Sequence, residues 1–209
     1  MNYKMNYAFL LLAVAIGLLL LSLIIPWLVT NIFGQRVYTL PNFITSLLNY
    51  QKTEENTVTS NNSSKLRADP ILIDLSNVYT NSSFALFFSM IAYPISIIIL
   101  IGSIIVAGLG KIKKGISIKF DRWSKITLIA GILVVVASIS WIYSIQSFKT
   151  QFSEHAEIAG GIIGEEWKGN ASVIIDRMIV MGFGPFVGII SGIISIFAHF
   201  VDKTYRYQG

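Results

Sequence analysis

Glu154, His155, Glu157, Glu165 and Glu166 gather carboxylates around one imidazole in a short stretch, a residue set that can hold a divalent metal or hand on a proton. A closed site needs about four fixed ligands, whereas here a single histidine is combined with flexible acids. The spacing of Glu154, His155 and Glu157 also suits the charged face of a helix running into solvent. The other histidine, His199, lies near the far end of a separate apolar run, so the two cannot be axial ligands of one haem. His199 reads better as an interfacial side chain reaching for water than as a proton relay. No catalytic residue, metal or cofactor is expected, and the chain is read as non-enzymatic.

A solute pathway usually places acids, bases or amides at membrane depth. Apart from Gln146, the apolar runs carry little of that kind, and Asp176 with Arg177 falls at the edge of the last run. That pair reads as an interfacial salt bridge or a helix-start feature, which argues against an active transporter.

What must position these residues is a set of four apolar runs, Ala8–Val29, Phe84–Leu109, Ile126–Ile145 and Met178–Phe200, each long enough for the roughly 20 helical residues that cross a hydrocarbon core. With 54% hydrophobic and 13% charged residues and a mean hydropathy of +0.66, little remains for a soluble domain. The expected fold is an all-α integral membrane four-helix bundle, one four-span domain over residues 1–209, with a small extracellular segment of strand and short helix.

Charge sorts by loop. The inner loop, residues 110–125, and the two ends hold nine bases against two acids, while the outer loops, 30–83 and 147–177, hold seven bases and nine acids. Basic short loops stay cytoplasmic, so both termini are expected inside a cell membrane and the net charge of +5 points to topology rather than to nucleic acid. The N-glycosylation sequons at Asn61, Asn62, Asn81 and Asn170 all fall in the outer loops, in agreement with that orientation. Lys111, Lys113 and Lys114 first serve topology and, as a second reading, meet anionic lipid headgroups. The first run is longer than a signal-peptide core and has no convincing cleavage site before Pro26–Trp27, which marks it as an uncleaved anchor.

No cysteine is present, so the outer loops fold without disulfides. Leu40, Phe43, Ile44, Leu47 and Leu48 behind Pro41 predict a short amphipathic helix. Ile71, Ile73 and Leu75 alternate as a half-buried strand, with Gln35–Leu40 as its partner across a polar tip, Glu54–Ser64. Within the runs, Gly184, Gly188 and Gly192, Ser191 and Ser195, and Ala13 with Gly17 repeat at four-residue spacing. Such faces let backbones approach closely, either inside one bundle or against a partner. Pro94 and Pro185 should reshape their helices unless they fall in a first turn.

The order of short N-terminus, span, long outer loop, span, basic inner loop, span, shorter outer loop and span resembles the claudin and peripheral-myelin-protein tetraspan group. Local echoes are Pro26–Trp27, Asp74-Leu75-Ser76 through Asn81-Ser82-Ser83, and Ala130-Gly131-Ile132 through Trp141-Ile142-Tyr143. The group's Trp-x-x-Gly-Leu-Trp-Cys-Cys outer-loop signature is absent, so no functional residue carries across. The resemblance implies a left-handed bundle with an extracellular sheet and a role in contacts or as an auxiliary subunit.

The expected function is therefore protein–protein interaction: the bundle packs with partner helices or copies of itself in the lipid bilayer, and the outer loops meet an extracellular partner. An accessory, cofactor-free subunit of a respiratory or other membrane enzyme complex is the alternative, and a channel or transporter of small solutes is a third. The isoleucine-rich, cysteine-free chain with outer sequons has the composition expected of an archaeal surface glycoprotein.

Overall fold

Pro26 stops the first helix. Its ring has no N–H to give and disfavours helical geometry in the residue before it, so α1 (Lys4–Ile24) closes with Ile25 N–H donating to Leu21 O at 3.1 Å. The chain then extends as β1 (Leu28–Thr30) and returns as β2 (Arg36–Tyr38). A helix follows at once, α2, described over 40–46, with Leu40 and Phe43 buried and Pro41 in its first turn. Four further helices and one strand complete the order: α3 (Thr80–Ile112), α4 (Phe120–Ile163), α5 (Ala171–Met178), β3 (Ile179–Met181) and α6 (Gly184–Tyr207).

The computed structural model describes residues 4–31, 35–46, 80–112, 120–163 and 170–207. Outside them lie the expected strand Ile71–Leu75, the tip Glu54–Ser64 with Asn61 and Asn62, and Leu47, Leu48, Lys113, Lys114, Glu165 and Glu166.

Among the described residues, four helices are long and apolar enough to cross a membrane, over Tyr7–Ile24, Phe84–Ile105, Lys125–Glu154 and Gly184–Val201. The 21 residues of α1 reach about 31 Å, one hydrocarbon thickness. With 44 residues, α4 is about twice that length and continues past the bundle through Glu154, whose side chain is exposed. Contact runs chiefly from α1 to α6, α6 to α4 and α4 to α3, with α1 and α3 meeting only slightly.

Three of the long helices show an outward stripe at alternating spacings of three and four: Leu10, Val14, Gly17, Leu21 and Ile24 on α1, Ile129, Ile132, Val136, Ile139 and Tyr143 on α4, Phe186, Ile190, Ile193, Phe197 and Phe200 on α6. A mean period of 3.5 keeps one face inward along the whole length, the condition for shallow crossing of about 20°.

Two apolar runs end elsewhere than their composition suggests. Trp27, Leu28 and Val29 leave the first run for the sheet, and Ile179–Met181 leave the fourth, so α6 starts at Gly184 rather than at Met178. The sheet has the order β2-β1-β3 with both pairings antiparallel, Leu28 opposite Tyr38 on one side and Met181 on the other. Unbroken apolar residues suit a buried strand as well as a span, which is why the runs hide these strands. Within the sheet, β2 therefore pairs with β1. Pro185 falls in the first turn of α6, where its missing N–H costs nothing, while Pro94 sits well inside α3.

Candidate functional site

The chain leaving the C-terminal end of α1 and the chain entering the N-terminal end of α6 are joined backbone to backbone. Trp27 N–H donates to Tyr38 O (2.8 Å), Gly182 N–H to Trp27 O (3.1 Å), Gly184 N–H to Pro26 O (2.9 Å) and Asn31 N–H to Met178 O (2.8 Å). The Asn31 amide also donates through Nδ2 to Arg177 O at 3.1 Å. A β-carbon on Gly182 would overlap the Pro26 carbonyl, and one on Gly184 would overlap the Trp27 indole. Both positions are glycine because backbone and ring come that close.

Beneath the sheet, Trp27 is the hub of an aromatic cluster. Its ring meets Tyr93 of α3 edge-on at 4.9 Å and Trp141 of α4 at 5.1 Å, Phe43 of α2 meets Trp141 at 4.9 Å, and Tyr38 of β2 meets Phe43 at 6.0 Å. Edge-to-face pairs of this kind add about 0.5–1.5 kcal/mol each beyond area burial. Trp27, Tyr93, Trp141 and Phe43 are fully inaccessible. The Trp27 indole also donates through Nε1 to Ser22 O at 2.7 Å, and Ser22 Oγ is hydrogen-bonded to the Tyr93 hydroxyl. Ser22 thus ties α1 to α3 here, and the cluster joins sheet, α2 and three long helices into a single platform.

Below the platform the helices meet through small residues and hydroxyls. Gly188 of α6 lies so near Ser138 of α4 and Tyr93 of α3 that a β-carbon there would stand 2.5 Å from Ser138 Oγ and 2.9 Å from Tyr93 Oη. One turn on, Gly192 faces Gly131 of α4. Ser191 Oγ donates to Ala15 O of α1 at 2.7 Å, and Ser89 Oγ of α3 lies 2.8 Å from both Ala85 O of its own helix and Ala137 O of α4. Glycines and serines thus replace large side chains where helices touch, the arrangement that favours association when lipid surrounds a bundle.

The small-residue positions read from the sequence divide. Gly184, Gly188, Gly192, Ser191 and Ser195 are buried inside the bundle, whereas Ala13 is half-buried and Gly17 faces outward with nothing within 4 Å of an added β-carbon. Asn170 is exposed at the start of α5, and the side chains of Asn81, Lys111, His155 and Glu157 are outside the described ones. Asp176 sits in the last turn of α5, not at a helix start, and its Oδ1 accepts from Lys149 Nζ at 2.9 Å rather than pairing with Arg177. Arg177 in that last turn suits the negative end of the helix dipole. His199 is half-buried with its ring 5.4 Å from Phe200, and Gln146 is exposed.

Sequence reasoning missed Gly131, Gly182 and the aromatic hub. Gly131 stands alone in its run, without a second glycine four residues away, and Gly182 was absorbed into an apparent span. The one available clue to the hub was Pro26–Trp27, a helix stop followed by the largest side chain.

Two concavities flank the platform. An open cleft of about 480 Å³ lies between β2 and α2, lined by Arg36, Val37, Tyr38, Asn42, Thr45 and Ser46. A groove of about 370 Å³ between α3 and α4 is walled by hydrocarbon alone, chiefly Phe84, Phe87, Phe88, Ile91, Ile95 and Leu133. The cleft offers a guanidinium, an amide, hydroxyls and a phenol ring, and the groove offers hydrocarbon alone. Compared with known proteins, the chain matches no family model, no curated protein and no solved structure.

Proposed function

We propose that this chain is a multi-pass protein of the cell membrane, with both termini in the cytoplasm, that works through contacts rather than catalysis. The observation that carries the reading is its inverted surface. Ser22, Ser89, Ser96, Ser103, Ser138, Ser144, Ser191 and Ser195 are buried, while Leu10, Ile98, Ile129, Ile139, Ile190 and Phe197 are exposed. A water-soluble protein does the reverse and keeps its exposed apolar patches to a few hundred Å². Ile24, Phe84 and Phe183 are 73%, 74% and 77% exposed at the platform end, which suits hydrocarbon reaching up to the underside of the sheet.

In this reading the platform is a rigid base that presents the long outer loop and the Asn170 segment to an extracellular partner, in a claudin-like architecture of four spans and a small outer sheet. Asn61, Asn62, Asn81 and Asn170 are its glycan acceptors, and Lys111, Lys113 and Lys114 its contacts to anionic lipid. The outward face at Gly17, beside the half-buried Ala13, suits close approach of a second transmembrane helix. Gentle solubilisation from native membranes, followed by native mass and identification of every chain present, tests the proposal. A homo-oligomer or a complex with a surface partner is expected. A strictly monomeric protein in mild detergent and in native membranes overturns the contact role, and co-purifying redox subunits make the chain an accessory part of an enzyme complex.

A further inference from the structure

Ser138 and Trp141 stand one turn apart on α4, both fully inaccessible, and neither Ser138 Oγ nor Trp141 Nε1 has a hydrogen-bond partner among the described residues. Two buried polar atoms left over within one turn of a well-packed helix call for a cause, because nearly all such groups in folded proteins are satisfied by protein or by ordered water. An indole N–H is a donor only and has no second rotor to turn toward its own backbone. A third polar group stands beside Ser138: the Tyr93 hydroxyl and Ser138 Oγ lie 2.9 Å and 2.5 Å from the point where a Gly188 β-carbon would stand. Those two oxygens are close enough for one water to span. Ser22 Oγ already engages Tyr93, which still leaves the phenolic oxygen capacity for another bond.

We propose that these residues form an internal hydration site, in which one water molecule accepts from Trp141 Nε1 and bonds Ser138 Oγ and the Tyr93 hydroxyl. The site is roofed by the Trp27 ring, which contacts both Tyr93 and Trp141, and Gly188 keeps a side chain out of it. Buried waters of this type make about three hydrogen bonds to polar groups otherwise unmet, the number available here. The water links α3 to α4 at the level where α1 is already tied to α3 through Ser22, so the hydroxyl chain Ser22–Tyr93–water–Ser138 crosses three helices.

The test uses the full chain in detergent micelles with nitrogen-15 in the tryptophan side chains. Four tryptophans give four indole signals. Trp141→Phe identifies the relevant one, or the same substitution at the other three does so if that variant does not fold. A direct cross-relaxation peak between the Trp141 indole proton and water, lost or strongly reduced in Ser138→Ala, is the expected result. No water peak in the unaltered protein, or one that persists unchanged in both Ser138→Ala and Tyr93→Phe, overturns the site. A high-resolution density map reads it independently. A peak within hydrogen-bond reach of Trp141 Nε1 and Ser138 Oγ supports the site, and direct packing of the two side chains with no peak between them overturns it.

Discussion

Gly131 of α4 and Gly192 of α6 oppose each other reciprocally: a β-carbon on Gly131 would lie 3.0 Å from Gly192 O, and one on Gly192 would lie 2.8 Å from Gly131 O. Each α-carbon therefore rests on the other's carbonyl, the close approach at which Cα–H···O contacts form between helices. Gly192→Ala also brings its methyl to 2.6 Å from Val135 Cγ2, so α4 and α6 must separate. A loss of about 1–3 kcal/mol, the usual cost of overpacking, is expected in the unfolding free energy measured in detergent. Unchanged stability would mean that the helices are less tightly joined than described.

Gly17→Ala and Gly102→Ala are the matching controls. A β-carbon at either meets nothing within 4 Å, and alanine is the better helix former by about 1 kcal/mol. Both variants should unfold at the same temperature as the parent or slightly higher. If Gly17→Ala instead weakens self-association without lowering monomer stability, its face is in contact with another helix.

The distinction between these glycines was not legible in the sequence. Spacing marks a small-residue face on α1 and α6 alike, but whether that face turns inward depends on which helices are neighbours. The four apolar helices themselves were plain, because runs of isoleucine, leucine and phenylalanine of that length leave few alternatives. Trp27–Val29 and Ile179–Met181 were hidden for the opposite reason: three apolar residues beside a span look like more span until a partner strand claims their backbone. The short helix at Leu40 and Phe43 was readable from its periodicity, and the hub it helps to build was not, since Trp27, Phe43, Tyr93 and Trp141 come from four separate segments.

Trp27→Ala should be the most damaging single change at the platform. It removes the indole bond to Ser22 O and both edge-on contacts while opening a fully buried volume, for an expected cost of about 3–5 kcal/mol. Trp27→Phe keeps part of the packing and should cost less. Protease resistance of the segments flanking the sheet reports the effect locally, and equal resistance in Trp27→Ala and the parent would show that the sheet does not depend on the hub.

Lys149 and Asp176 tie α4 to α5 at 2.9 Å, with the acid 67% exposed. An ion pair this open to solvent contributes about 0–1 kcal/mol and is screened by salt. Asp176→Asn should therefore change the unfolding midpoint only slightly, and less in high salt than in low. A large loss that salt does not reduce would assign the pair a structural role beyond its charge.

The absence of cysteine from the chain makes orientation directly measurable. Val37 and Lys125 are both exposed and lie towards opposite ends of the bundle. A membrane-impermeant maleimide should label Val37→Cys in intact cells and reach Lys125→Cys only after permeabilisation. The reverse pattern would invert the proposed topology, and labelling of both in intact cells would refute it.

The pairing of Leu28 with Met181 has a consequence for the order of synthesis. Non-local contacts of this kind form late, because the chain between them must be made and ordered first. As the ribosome delivers the chain, β1 emerges directly after the first helix, yet its central pairing waits for a strand that arrives only with the last one. Until then the backbone groups of β1 on that side and the ring of Trp27 stand without their final cover. A chain interrupted before Ile179 would therefore expose an unclosed strand edge at the sheet end of the bundle, a ready mark by which quality control can tell an unfinished molecule from a finished one.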